Sequence, residues 1–227
     1  MKVRVVGDSC IAIIFGEDIS EETNRKVHAL ADYLLNYNPE WLLDVVPSYS
    51  ALYVYFDPLM IDYREVIDII GKIKINEVER KEKRIIKIPI AYGGEFGPDI
   101  EFVAKYNGLS VDDVIEIHSK PLYRVYFLGF LPGFAYLGGM DERIATPRLE
   151  KPRLKVPAGS VGIAGKQTGW YAIESPGGWR IIGRTPLRTF NPEKIPPSIV
   201  SPGDYVKFVP IDENEFWEIY REEWGND

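Results

Sequence analysis

YRVYFLGFLPGFAYLGGMDERIATPRLEKPRLKVPAGSVGIAGKQTGWYAIESPGGWRIIGRTP, residues 123–186, holds most of the chain's glycine-proline-aromatic pattern. Short extended runs are separated by Gly and Pro roughly every 8–12 residues, the rhythm of a closed or sandwiched all-β structure. Inside it, LGFLPGFAYLGG (128–139) puts four glycines, a proline and three aromatic rings into an uncharged run. A buried strand does not tolerate so much glycine, and a solvent loop does not carry so many rings. Something covers this run: either the rest of the chain, closing a barrel turn, or a second molecule.

Outward from this core, RIIKIPIAY (84–92) alternates like a strand. Gly97-Pro98-Asp99 opens a helix that runs through Tyr106 and is closed by Asn107-Gly108. Ser110, with Asp113 at the capping-box position, starts another whose Val111, Val114, Ile115 and His118 share a face. Downstream, Asp212 and Glu215 form a capping pair for a terminal helix bearing Phe216, Tyr220 and Trp224. Upstream, residues 2–6 and 10–15 read as strands around a Gly7-Asp8 turn. A helix follows, with Ser20 as cap and Val27, Leu30, Ala31, Leu34 and Leu35 at helical spacing. The runs LLDVV and ALYVYF flank Pro47-Ser48-Tyr49-Ser50, and a second helix carries Tyr63, Val66, Ile67, Ile70 and Lys74, with Ile73 widening its apolar stripe. The order ββαββα predicts one sheet with helices on one face. NEVERKEKR (76–84), seven charges in nine residues, marks the boundary between an α+β domain at 1–80 and a mainly-β domain at 81–227.

A net charge of −7 argues against nucleic acid as the main partner. No apolar run approaches the roughly 18 residues of a membrane span, so the expected setting is cytoplasmic, away from the membrane. The single cysteine, Cys10, reads as a small buried hydrophobe. Only His28 and His118 are available as imidazoles, which excludes a histidine-rich metal site, and no metal is expected. The charge is uneven: nine Lys or Arg but two acids lie between Arg143 and Phe190, while seven acids follow Ile211. A basic, glycine-rich segment in an acidic protein fits a site for a small anion; it fits equally a basic surface that pairs with the acidic tail. GSVGIAGKQ (159–167) superficially imitates a P-loop, but its glycine spacing is one residue too long and Gln167, the only glutamine, stands where Ser or Thr is needed.

The 123–186 segment, together with YGGEFGPDI, VIEIHS and VVPSYSALYVYFDP, closely resembles the family of B-type 5-oxoprolinase subunits, also known as allophanate hydrolase subunit 1, over nearly the whole chain. That family includes a sporulation-kinase inhibitor and is similar to one half of the carboxyltransferase domain of urea carboxylase. The resemblance implies a cyclophilin-like barrel for the second domain. It also implies ATP-driven opening of 5-oxoproline to glutamate, active only with C-like and A-like 5-oxoprolinase partners, with ATP as cosubstrate held on this chain or on one of them. Phe130, Pro132, Gly133, Phe134 and Tyr136 then become the candidate contact with the C-like partner. Regulation of a histidine kinase, an allophanate- or urea-type amide hydrolase and, by fold analogy, proline isomerisation are the competing readings.

Lactam opening needs cations for anionic groups, donors for an oxyanion and a base. Arg148, Arg153, Lys155 and Lys166 are candidate anion contacts, and Arg184 in GRTP can present a bidentate fork. Gln167 and Thr168 lie in a glycine-bracketed loop where they can orient a substrate amide, or simply shape a turn. Ser175, Gly177 and Gly178 in ESPGGW offer donors for an oxyanion, or a tight turn. His118 is the candidate base; its place at a helix end predicts a dipole-stabilised protonated form. His118→Ala is expected to leave the fold intact and to lower the activity of the assembled enzyme.

Overall fold

A computed structural model describes residues 2–17, 20–73 and 84–225. They fall into two compact units, Met1–Glu82 and Lys83–Asp227. Lys74 of the expected second helix, and residues 76–83 of the expected boundary, lie outside the described residues.

In the first unit β1 (Lys2–Gly7), β2 (Cys10–Ile14), α1 (Glu21–Tyr37), β3 (Leu42–Pro47), β4 (Ala51–Phe56) and α2 (Tyr63–Gly71) follow in order. The strands form one antiparallel sheet in the order β1-β2-β4-β3. Alternate residues Ile11, Ile13, Leu52, Val54 and Phe56 face Val27, Leu30, Leu34, Val66 and Ile70 of the helices. Burial of each such side chain contributes about 1.5–3 kcal/mol. Ser20 caps α1 by accepting from the Thr23 amide at 3.1 Å. Leu35 departs from expectation: it is 54% exposed, one residue past Leu34 and so turned about 100° off the buried stripe. Asn24 is buried instead, its amide donating to the Ser48 and Tyr49 carbonyls and tying α1 to the turn before β4. Cys10 is buried and unpaired, as its type and isolation predict.

The second unit contains β5 (Ile85–Tyr92), α3 (Ile100–Asn107), α4 (Val111–Ser119), β6 (Tyr123–Leu128), β7 (Ala135–Gly138), a 3-10 turn (Glu142–Ile144), β8 (Arg153–Val156), β9 (Ser160–Ala164), β10 (Gln167–Trp170), β11 (Ser175–Gly177), β12 (Arg180–Arg184), β13 (Tyr205–Ile211) and α5 (Glu213–Trp224). Seven strands close into a barrel in the order β10-β7-β6-β13-β5-β12-β9, and β8 and β11 form a separate two-stranded ribbon. The barrel is mixed because its first strand, β5, runs parallel to its last, β13, from Tyr205 opposite Ile85 to Ile211 opposite Ala91. The other neighbours pair antiparallel. Ile88, Ile90, Val125, Val161, Ile163, Trp170, Val206 and Phe208 belong to a core that continues into Val103, Val114 and Ile117 of α3 and α4. Ser110 and Asp113 make the expected reciprocal cap.

Asp99 does more than open a helix, the role its sequence neighbours predict. Its carboxylate makes no cap; it takes 2.8 and 2.7 Å bonds from the Arg153 guanidinium and the buried Ile181 amide. One acid thus ties the β8–β11 ribbon to the barrel wall. Among the described residues, no helix is long and apolar enough to cross a membrane.

Candidate functional site

Two side-chain constellations are built from the residues singled out in the sequence, one inside the barrel and one at the ribbon.

The inner one centres on His118, at the last turn of α4 and fully buried. Its Nδ1 lies 2.7 Å from the Tyr92 hydroxyl of β5 and its Nε2 2.8 Å from Thr168 Oγ1 of β10. Thr168 Oγ1 donates its one proton to the Gly162 carbonyl of β9 at 3.1 Å, so it must accept from His118. Nε2 therefore carries the ring proton and Nδ1 accepts from Tyr92. The imidazole stacks on Phe208, ring centroids 4.7 Å apart, and the Tyr123 hydroxyl donates to the His118 carbonyl at 2.7 Å. Burial drives the pKa down from 6.5 to about 3. The expected dipole-stabilised imidazolium is thus overturned: a helix end contributes far less than the loss of solvation here. Thr168, expected beside a substrate amide, is fully buried and belongs to this chain of hydrogen bonds.

The outer constellation collects the basic segment, several of whose cations face carboxylates or aromatic rings. Arg153 pairs with Asp99 at 2.8 Å, and on the open surface Lys155 pairs with Glu174 at 3.0 Å and Lys166 with Glu142 at 2.7 Å, so each of these expected anion contacts already faces a carboxylate. Arg184 donates from Nε to the Ala158 carbonyl at 2.9 Å and lies over the rings of Phe216 and Tyr220 in α5. Arg188 lies over Trp224, so the acidic tail engages the basic segment through its aromatic residues as well as through Glu223, which accepts from the Arg188 amide. GSVGIAGKQ forms the β9–β10 hairpin, with no helix following to receive a phosphate. Gln167 is half-buried at the start of β10 and already has a partner.

Arg148 is different. It is exposed, and among the described residues it has no ion pair or hydrogen bond. Its charge acts on the hydroxyls of Tyr136 and Tyr171, both held above the ordinary tyrosine range chiefly by burial and eased back by Arg148. Its segment is anchored on both sides, by the Arg180 guanidinium donating to the Pro147 carbonyl at 3.3 Å and the Leu149 amide donating to the Gly178 carbonyl at 2.7 Å. Arg148 is thereby set beside ESPGGW. There, Ser175 is 8% exposed with no partner for its Oγ among the described residues. Gly177 must be glycine: a Cβ would stand 2.3 Å from the Tyr171 hydroxyl. Sequence reading puts Arg148 among equals; only the paired state of its neighbours separates it. Tyr171 escapes sequence reading, because an aromatic between β10 and β11 carries no signal distinguishing support from core.

The aromatic run splits in two. Phe134 is 2% exposed, its ring edge-on to Tyr136, Tyr171 and Trp179. Gly133 is buried with φ +74°, its missing Cβ 2.6 Å from Phe190 Cβ and 3.0 Å from Ala172 Cβ. Both are used up inside this chain, a correction to their reading as partner contacts; Tyr136 is half-buried. Phe130 and Pro132 remain outside. Phe130 is 70% exposed at φ +68°, in a tight turn closed by the Leu131 amide donating to the Gly129 carbonyl at 2.8 Å. A non-glycine residue held there costs about 1–3 kcal/mol. Gly133→Ala is expected to destabilise by about 2–4 kcal/mol, since it adds strain at positive φ to overpacking. Phe130→Ala should shift stability by no more than about 0.5 kcal/mol. Urea titrations of the two variants check the contrast, and equal losses would refute it.

An α+β unit followed by a closed seven-stranded barrel is the arrangement of a known protein class. The family model "Carboxyltransferase domain, subdomain C and D" matches residues 1–200, and the chain belongs to that family. Within it the chain falls among the B-type 5-oxoprolinase subunits: it is 44% identical over 236 residues to the protein of that name from Bacillus subtilis, covering 98% of this chain and 97% of that one. It is 74% identical to a conserved uncharacterized protein of Pyrococcus horikoshii of known crystal structure, over 95% of this chain and 100% of that one, with a TM-score of 0.59. The urea carboxylase of Kluyveromyces lactis shares the fold alone: 20% identity, TM-score 0.76, 97% of this chain and 22% of that one.

Proposed function

We propose that this chain is the B-type subunit of a cytoplasmic, ATP-dependent 5-oxoprolinase that opens 5-oxoproline to glutamate and is silent until C-like and A-like subunits join it. The near full-length similarity to proteins named as B-type 5-oxoprolinase subunits carries this reading.

The chemistry explains why one chain is not enough. An amide resists water because its nitrogen donates into the carbonyl; phosphoryl transfer from ATP to the carbonyl oxygen, releasing ADP, weakens that donation, water adds to the carbon, the ring C–N bond breaks to leave the amine and an acyl phosphate, and a second water releases inorganic phosphate to give glutamate. The barrel's one histidine is sealed away from solvent and neutral, which favours a base supplied from elsewhere in the assembled enzyme. What this chain brings is Arg148, free for an anion, and an exposed Phe130–Pro132 tip for a neighbour to cover. Among the described residues no group of three or more His, Cys, Asp or Glu is placed to hold a metal ion.

The test is reconstitution. The chain alone should release no glutamate from 5-oxoproline with ATP, and the co-expressed three-protein complex should release it only when ATP is present. Turnover by the isolated chain would refute the need for partners, and an assembled complex that leaves 5-oxoproline intact would refute the activity.

A further inference from the structure

No charged residue occurs between Val125 and Met140, and within that run the structure sorts ring from ring. Phe134 is sealed in a cluster with Val156, Tyr171, Trp179 and Ile181, with Leu131 packed against it, whereas Phe130 stands 70% exposed. The Phe130 backbone adopts φ +68°, a conformation that costs a non-glycine residue free energy and persists only where the surroundings impose it. Here they do. The Gly129 amide donates to the Phe134 carbonyl at 3.1 Å and the Phe134 amide to the Leu131 carbonyl at 3.0 Å, while the Phe134 ring stands edge-on to Phe130 with centroids 5.6 Å apart. A second apolar point shares the same root. Phe190, whose Cβ lies 2.6 Å from where a Gly133 Cβ would stand, begins a loop that a bridge to Ser198 closes, and Ile195 near its tip is 99% exposed. Chain length alone keeps the Phe130 and Ile195 backbones within about 30 Å of each other, which a round patch of about 800 Å², roughly 32 Å across, can span.

We propose that Phe130 is the anchor of a protein–protein interface, its ring entering an uncharged hollow of the C-like subunit, with Ile195 at the rim. A solvent-exposed ring at positive φ does little for the isolated chain, and a glycine would sit there without strain. For a partner the same ring is valuable: it is in place before docking, so little freedom is lost on binding, and a ring entering a fitted pocket is the usual energetic centre of an interface. The run without charge on either side of it suits an interface core and calls for an apolar socket. A second copy is the poorer occupant, because two chains of net charge −7 repel. In a solved relative, 38% identical with a TM-score of 0.80, the match spans 93% of this chain but 40% of the other, so the equivalent fold is there joined to further chain. The assignment deepens the 5-oxoprolinase reading and rests on it for the identity of the partner.

The experiment titrates the full chain with separately purified C-like subunit by calorimetry. Phe130→Gly removes the ring together with the strain, so the free variant should unfold at or above the parent temperature while its Kd rises about thirtyfold or more. Phe130→Leu should recover part of the affinity, and Ile195→Ser should raise Kd about threefold to tenfold at an unchanged unfolding temperature. Stability and affinity moving in opposite directions is a pattern that a merely structural residue does not give. A Phe130→Gly variant that binds as tightly as the parent, or that loses stability and affinity together, overturns the anchor; turnover by the assembled complex then leaves the activity standing. Failure of the parent to bind the C-like subunit also overturns it, and sedimentation showing self-association of the parent that Phe130→Gly abolishes would give the surface to a second copy. A complex that needs Phe130 to assemble but leaves 5-oxoproline intact removes the activity and keeps the interface.

Discussion

His118→Ala is expected to cost about 3–5 kcal/mol, a large share of the roughly 5–15 kcal/mol that holds a typical domain together. The change removes a fully buried ring that Phe208 stacks upon and leaves the Tyr92 hydroxyl without its acceptor, while Thr168 Oγ1 loses a donor and keeps its bond to the Gly162 carbonyl. The stranded hydroxyl costs about 1–3 kcal/mol, to which the cavity adds. The fold-preserving loss of activity expected from sequence alone therefore gives way to a stability defect. The same burial gives a pH signature. The folded pKa of about 3 lies below the ordinary value of 6.5, so the unfolded chain takes up the proton first as pH falls. This contribution is intact above pH 6.5 and is lost progressively between 6.5 and 3, amounting to several kcal/mol, on the order of 5, at the bottom of that window. His118→Gln, which does not titrate, should lose stability less steeply than the parent over the same range. Urea unfolding at about pH 7, 5.5 and 4.5 measures both slopes; parallel curves would exclude the buried neutral histidine as their source.

Asp99→Ala is the second large effect, expected at about 3 kcal/mol. Its carboxylate links Arg153 of β8 to the Ile181 amide of β12 through one side chain. Removing it leaves a buried amide unpaired, about 1–3 kcal/mol, and leaves a cation unmatched. Arg153 is partly solvated, so its share is the smaller one. Asp99→Asn keeps an acceptor for Ile181 and should lose only about half as much. Because the same bond holds the ribbon, Asp99→Ala should also raise hydrogen exchange in β8 and β11 more than in β6 and β13. Uniform exchange across the barrel would show that the ribbon does not depend on Asp99.

The readings that held are those whose cause is local. Ser110 and Asp113 cap α4 because their spacing alone sets the geometry, and β1 and β2 meet across a turn of two residues that the chain encodes in place. The β rhythm after Tyr123 survives as short strands between Gly and Pro. Readings that depended on what a side chain meets fared differently. Asp99 looks like a helix opener because sequence shows its neighbours and not Arg153, 54 positions away. Phe134 and Phe130 are the same residue type within one turn of chain, yet one is sealed under Tyr171 and Trp179 while the other stands in solvent.

Because periodicity, caps and turns act over a few residues, the strand and helix order is legible along the chain, as is the stock of cations, rings and glycines after Tyr123. Which of those groups are free depends on contacts between residues far apart in the chain. Closing β5 against β13 and folding α5 over the segment brought distant carboxylates and rings onto most of the cations, buried His118 in neutral form and left Arg148 unmatched among the described residues. Charge and burial are properties of a neighbourhood, and the neighbourhood exists only once the barrel is closed.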